Sequence, residues 1–85
     1  AMEARIIAAL RAAFDPAELI VDDDSEAHRG HGGYREGGGT HFNVKIRATA
    51  FDGLSRVAAQ RAVMAELKSE FADGLHALSL DVAAP

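Results

Sequence analysis

The chain has 85 residues, a length that fits one domain with a single hydrophobic core. Hydrophobic residues make up 48% and charged residues 26%, a balance typical of a folded globular chain and not of a disordered one. The apolar runs are too short for a membrane-spanning helix, and cysteine is absent, which excludes disulfides and thiolate ligands. Metal or proton chemistry therefore falls to the four histidines and the carboxylates. With no signal peptide visible, we expect a cytoplasmic protein.

The net charge of −4 is unevenly distributed along the chain. Residues 1–40 carry eight acids and four bases, whereas residues 41–68 carry five bases and two acids. The five bases are Lys45, Arg47, Arg56, Arg61 and Lys68. An acidic protein is a poor indiscriminate binder of nucleic acid, but its basic middle leaves open a nucleic-acid surface made of these side chains.

The first half of the chain predicts a helix, a strand and a long loop. Residues 2–14 should form an amphipathic helix, because large apolar residues recur there at helical spacing. They are Ile6, Ile7, Leu10 and Phe14. Asp15-Pro16 ends this helix, because proline disfavours helical geometry at the residue before it, and residues 19–21 read as a short strand. Residues 22–39 are predicted to be a flexible loop, since six of the eight glycines lie there.

The second half predicts a strand, a helix and a strand. Residues 40–48 alternate in polarity, which indicates a half-buried strand with Phe42, Val44 and Ile46 inside. Ser55 is the expected N-cap of a helix over residues 56–72. Its expected inner face is Val57, Met64, Leu67 and Phe71. Asp73-Gly74 closes that helix, and residues 75–82 form the last strand.

This order of elements predicts an α+β fold, α-β-β-α-β, with one three-stranded mixed sheet. The first two strands suit an antiparallel pair, and the helix between the second and third strands suits a right-handed crossover to a parallel pair. Packing both helices on one face of the sheet is the economical arrangement.

The four histidines differ in their expected surroundings. His28 and His31 lie three residues apart in the glycine-rich loop, where they are either solvated or able to join one metal ion. His41 falls on the polar side of its strand and is expected at the surface. His76 shares the parity of the apolar residues in the last strand, so its imidazole needs a hydrogen-bond partner or a ligand. No catalytic constellation is recognisable, so we do not expect an enzyme.

Several segments together resemble the ordered motifs of the BolA family. These segments are Asp24-Ser25-Glu26-Ala27-His28, Thr40-His41-Phe42-Asn43-Val44, Phe51-Asp52-Gly53-Leu54-Ser55 and Leu75-His76-Ala77-Leu78, with Phe14-Asp15-Pro16 and Arg61-Ala62-Val63. The resemblance covers nearly the whole chain and implies a single BolA-like domain over residues 1–85. It also implies a KH-like fold of type II, the type with two leading strands, which agrees with the element order above.

The resemblance further implies a function and a ligand set. BolA proteins partner monothiol glutaredoxins that carry a CGFS motif, and the pair holds a [2Fe-2S] cluster together with glutathione. The BolA ligands are the histidine of the last strand, here His76, and a His or Cys of the loop. The Ser-x-x-His spacing assigns the loop ligand to His28, with His31 as a competing candidate. Because this chain has no cysteine, it is similar to the members with histidine in that loop, and the sulfur ligands would come from the partner.

A second implication of the family is DNA binding in the regulation of stress response and cell shape. The candidate residues are the five bases of the middle segment. This chain departs from the family pattern there, because Ala59-Gln60 stands where an Arg-His pair precedes the helix arginine. The basic C-terminal tail of some members is also missing. Both departures weaken the DNA-binding alternative and leave the expected cluster ligands untouched.

Overall fold

A computed structural model of the protein describes residues 1–28 and 38–85. In chain order the elements are α1 (Met2–Phe14), β1 (Glu18–Asp23), a first 3-10 helix (Ser25–His28), β2 (His41–Arg47), a second 3-10 helix (Thr49–Phe51), α2 (Arg56–Ala65), α3 (Lys68–Ala72) and β3 (Ala77–Ala83). Within the described residues, none of the helices has both the length and the apolar composition needed to cross a bilayer.

The sheet has the predicted topology. Its strand order is β1-β2-β3, with β1 antiparallel and β3 parallel to the central strand. In this register Val44 of β2 lies opposite Val21 of β1 and Leu80 of β3, so all three side chains are on the same face. The α+β class with a three-stranded mixed sheet is therefore confirmed.

The core lies between one face of the sheet and the helices. Phe42, Val44 and Ile46 of β2 are almost wholly buried, as their alternation predicted. They belong to one cluster with buried residues of α1 and of the segment that contains α2 and α3. Those residues are Ile6, Leu10, Ala59, Val63 and Leu67. Both helical segments thus cover the same face, and among the described residues Ile20, Asn43 and Ser79 are exposed on the opposite face.

Two predicted helix ends are confirmed. α1 stops at Phe14, and its cap residue Asp15 takes a left-handed backbone with φ of 45° just before Pro16. α2 begins after Ser55, whose hydroxyl oxygen accepts a hydrogen bond from the amide of Ala58 at 3.1 Å. This side chain satisfies one of the amides that the first turn of a helix leaves without a backbone partner.

The single helix predicted over residues 56–72 is wrong in two respects. The helix breaks after Ala65, because the amides of Glu66 and Leu67 bond three residues back and tighten the last turn. The inner face was also misassigned, since Val57 and Met64 are 54% and 40% exposed. The buried stripe is Ala59, Val63 and Leu67. These residues recur every four positions, which places them on one side of a helix, and the small Ala59 hid that pattern in the sequence.

The predicted loop over residues 22–39 is also partly wrong. Its first two residues, Asp22 and Asp23, extend β1 and pair with Asn43 and Phe42. Residues 25–28 then form the first 3-10 helix. Residues 29–37 of the predicted loop lie outside the described residues.

Candidate functional site

His76 lies immediately before β3, with its side chain exposed and its backbone fixed. The amide of His76 donates to the carbonyl oxygen of Thr40 at 2.8 Å, and the amide of Ala77 donates to the same oxygen at 3.1 Å. Because two consecutive amides converge on one carbonyl, regular pairing starts at Ala77. The predicted strand start at residue 75 is therefore wrong, and His76 is exposed ahead of the strand instead of continuing the parity of its apolar residues.

His41 is buried, with 5% of its surface exposed, and the prediction of a surface histidine is wrong. Its Nδ1 is hydrogen-bonded to Thr40 Oγ1 at 2.9 Å. Its ring also packs against the ring of His76, with centroids 5.3 Å apart and planes inclined by 52°. The alternation of β2 still places His41 on the sheet face away from the helices. It is buried there because the start of β2 contacts the first 3-10 helix and because the His76 ring packs against it. His41 therefore supports one side of the exposed His76 ring.

Two buried hydroxyl residues join this end of the sheet to the first 3-10 helix. Ser25 and Thr40 are each only 1% exposed. Ser25 Oγ accepts hydrogen bonds from the amides of Thr40 and His41, at 3.0 and 3.1 Å, and Thr40 Oγ1 lies 3.3 Å from it. A buried amide without an acceptor is costly, so these contacts hold the helix firmly to the start of β2.

Asp23 closes the same region from the end of β1. Its Oδ1 accepts from the amide of Ser25 at 2.9 Å, and its Oδ2 accepts from the amide of Gly39 at 3.1 Å. Burial raises the pKa of Asp23, but hydrogen bonds from Ser25 and Gly39, helped by His41, outweigh burial and lower the pKa below its ordinary value. The carboxylate thus stays ionised at neutral pH. It holds the amide of Ser25, just after β1, and the amide of Gly39, just before β2.

The two predicted loop ligands differ in what the structure describes. His28 is the last residue of the 3-10 helix that begins at the buried Ser25. The competing candidate, His31, lies outside the described residues. The start of this helix, at Ser25, and the chain that leads into β3 are both bonded to Thr40, so the backbone brings the elements that carry His28 and His76 to one end of the sheet. Among residues 1–28 and 38–85, no group of three or more His, Cys, Asp or Glu side chains could hold a metal ion.

Comparison with known proteins places the chain in a family. The family model described as BolA-like protein matches residues 10–85. The chain belongs to the BolA family. Its fold is similar to that of the BolA domain of SufE1 from Arabidopsis thaliana, with a TM-score of 0.88 and 41% identity over 98% of this chain and 91% of that one.

Two curated relatives differ in how much of their own length the match covers. An uncharacterised protein in the cobS 5′ region of Sinorhizobium sp. is 46% identical over 86% of this chain and 80% of its own length. Protein BOLA1, chloroplastic, of Arabidopsis thaliana is 42% identical over 84% of this chain but only 46% of its own length.

The five bases proposed for a nucleic-acid surface do not share one face of this BolA domain. Lys45 and Arg47 alternate with buried residues of β2, so they lie on the sheet face opposite the helices. Each has an acidic partner there, since Lys45 Nζ is 3.4 Å from Glu18 and Arg47 is 3.0 Å from Asp81. The other three bases are carried by α2 and α3, on the helical side. They are Arg56, Arg61 and Lys68.

Sequence reasoning missed Ser25, Thr40 and Asp23 as parts of this BolA site. The Ser25-x-x-His28 spacing was visible and was used only to choose a ligand. The partners of the Ser25 hydroxyl lie 15 and 16 residues away, beyond the reach of any local pattern. The local signal that could have indicated this cluster was the pair Thr40-His41, a hydroxyl residue followed by a histidine at the start of a strand.

Proposed function

We propose that this chain is a non-enzymatic, cytoplasmic partner of a CGFS monothiol glutaredoxin and co-ligates a glutathione-bound [2Fe-2S] cluster in iron–sulfur trafficking, maturation or iron sensing. The observation that carries the proposal is the state of His76. Its imidazole is exposed at the end of the sheet, while its amide is fixed to the carbonyl of Thr40 at 2.8 Å. A side chain held in this way can reach a partner molecule without first having to be ordered.

The chemistry of the available donors fits such a cluster. Imidazole replaces thiolate on iron in clusters of the Rieske type and raises the reduction potential. His76 would supply one nitrogen, and His28 or His31 would supply the other. Since the chain has no cysteine, the remaining ligands would be sulfurs of the glutaredoxin and of glutathione. A ligand set that includes two imidazoles binds iron only in its deprotonated state, so the shared cluster would be less stable in acid.

The position of His41 supports a role for His76 at an interface. The buried His41 ring packs against one side of His76 and is itself hydrogen-bonded to Thr40. A depression of about 170 Å³ opens beside His41, and its walls include Asn43 and Ser79 on the sheet face away from the helices. This end of the sheet therefore offers both the exposed imidazole and a concave surface with mixed polar and apolar walls next to it.

The nucleic-acid alternative requires its cations on one surface. The split of these side chains between the two sides of the sheet, and the acidic partners of Lys45 and Arg47, disfavour it. A protein that binds nucleic acid normally neutralises several phosphates with cationic side chains that lie next to each other. We therefore keep the cluster partner as the proposed function.

The test is a titration of a cluster-loaded CGFS glutaredoxin with this chain, followed by visible absorption and circular dichroism. Wild type should change both spectra, because nitrogen ligands replace sulfur at the iron. His76→Ala should abolish the change. The His76 side chain is exposed except where its ring contacts His41, so the substitution should destabilise the fold by no more than about 1.5 kcal/mol.

The loop ligand is identified by His28→Ala and His31→Ala measured under the same conditions. The variant that loses the spectral change marks the ligand, and the other serves as its matched loop control. If wild type, His76→Ala and both loop variants give the same spectra, the proposed function is wrong.

A further inference from the structure

We propose that Ser25 is a positioning residue, whose buried hydroxyl fixes the first 3-10 helix to the start of β2 and thereby sets the place of His76. The inference rests on the proposed function for its purpose, because it concerns the spacing of the two expected ligand-bearing elements. Its evidence is the hydrogen bonding within the described residues and does not require a bound cluster.

The Ser25 hydroxyl has an unusual number of partners for a single serine. Two consecutive backbone amides, those of Thr40 and His41, donate to Ser25 Oγ at 3.0 and 3.1 Å. The Thr40 hydroxyl makes a third contact at 3.3 Å. All of these groups are buried, and Ser25 itself is 1% exposed. Water therefore cannot take the place of this oxygen without opening the packing.

The contact reaches His76 through one peptide residue. The amide of Thr40 donates to Ser25 Oγ, and the carbonyl oxygen of Thr40 accepts hydrogen bonds from the amides of His76 and Ala77 at 2.8 and 3.1 Å. The Thr40 side chain is also bonded to His41, whose ring packs against that of His76. A displacement of Thr40 therefore moves both the backbone and the ring support of His76.

Ser25 also begins the 3-10 helix that carries His28, one of the two candidate loop ligands. Ser25 is the first and His28 the last residue of the first 3-10 helix. The amide of Ser25 is in turn held by Asp23 at 2.9 Å. One side chain thus connects the helix that ends at His28 with the strand end that fixes His76.

The first test uses the metal-free chain, so it does not depend on the cluster. Ser25→Ala leaves two buried amides without their acceptor. Amide hydrogen exchange at His76 should therefore accelerate about tenfold relative to exchange at Val44, in the centre of the sheet. A factor of this size is expected for the loss of one hydrogen bond. The ring resonances of His76 should shift as well. Ser55→Ala is the matched control, because it removes a hydroxyl that accepts from one amide at the start of α2. It should leave the ratio of the His76 and Val44 exchange rates unchanged.

A folded Ser25→Ala variant with wild-type exchange and wild-type ring resonances at His76 would overturn the proposal. If Ser25→Ala does not fold, Ser25→Cys replaces the oxygen with a weaker acceptor, and a smaller acceleration at His76 is expected. Wild-type exchange in the cysteine variant would then overturn the proposal.

The cluster-bound complex separates this inference from the proposed function. If His76→Ala changes the visible circular dichroism but Ser25→Ala and Ser25→Cys do not, the function stands and the positioning role fails for the complex. If the Ser25 variants alter His76 in the metal-free chain while His76→Ala leaves the cluster spectra unchanged, the positioning role stands and the proposed function fails.

Discussion

Substituting Gly38 should cost more than its backbone conformation alone explains. Its φ is +83°, a left-handed value, and a Cβ built there would lie 2.8 Å from Asp23 Oδ2. The left-handed backbone costs about 1 kcal/mol for a residue with a side chain. Displacing the carboxylate weakens its bonds to the amides of Ser25 and Gly39, which adds about 1–2 kcal/mol. Gly38→Ala should therefore lower the free energy of unfolding by about 2–3 kcal/mol.

Gly53 provides a matched control, because its φ is +76° and a Cβ there would meet no atom within 4 Å. Gly53→Ala should cost only the backbone part, about 1 kcal/mol. Urea unfolding of both variants, repeated in an Asp23→Ala background, measures the coupling. The additional cost of Gly38→Ala should disappear once Asp23 is removed. Equal costs for the two glycine variants, or an additional cost that survives without Asp23, would refute this reasoning.

Three further predictions concern the core, the acid range and the open face of the sheet. In urea unfolding, Leu67→Ala should lower the free energy of unfolding by about 2–5 kcal/mol, and Met64→Ala should lower it by at most about 0.5 kcal/mol. Similar losses in the two variants would instead favour the inner helix face expected from the sequence. The folded state holds the pKa of Asp23 below its ordinary value of 3.8. The difference in free energy of unfolding between wild type and Asp23→Asn should therefore be constant above pH 3.8 and shrink as the pH falls through the lowered pKa. A difference that grows in acid would contradict the assigned hydrogen bonds. In a double-mutant cycle, the coupling energy of the exposed Lys45–Glu18 pair should be less than about 1 kcal/mol and should disappear in high salt. A coupling energy that does not depend on salt would show that the pair is not solvated.

The sheet was predictable because its signals are local. β2 alternates residue by residue, and that period alone assigns Val44 to the core and Lys45 to the open face. The cap at Ser55 and the stop before Pro16 were equally local, since each depends on the residue types within one turn. The pairing directions followed from the connections between strands. These features determined the sheet order and the class of the fold.

The parts of the site that were not predictable depend on contacts between distant segments. The burial of His41 is set by a helix 13 or more residues earlier and by His76 much later in the chain. The helix breaks where the amides of Glu66 and Leu67 bond three residues back, and no proline or glycine in residues 56–72 signals this break in the sequence. The backbone of His76 does not continue the strand as the sequence indicated, because the carbonyl oxygen of Thr40 accepts two consecutive amides.

The most direct test of the proposed function is a measurement of nitrogen bonded to iron. This chain, labelled with ¹⁵N-histidine, is combined with an unlabelled CGFS glutaredoxin, glutathione and a [2Fe-2S] cluster, and the reduced complex is examined by pulsed electron paramagnetic resonance. We predict strong ¹⁵N hyperfine coupling from directly bonded imidazole, with the contribution of His76 lost in His76→Ala. A complex that contains the cluster and shows no such coupling, or a coupling unchanged in His76→Ala, would contradict the account.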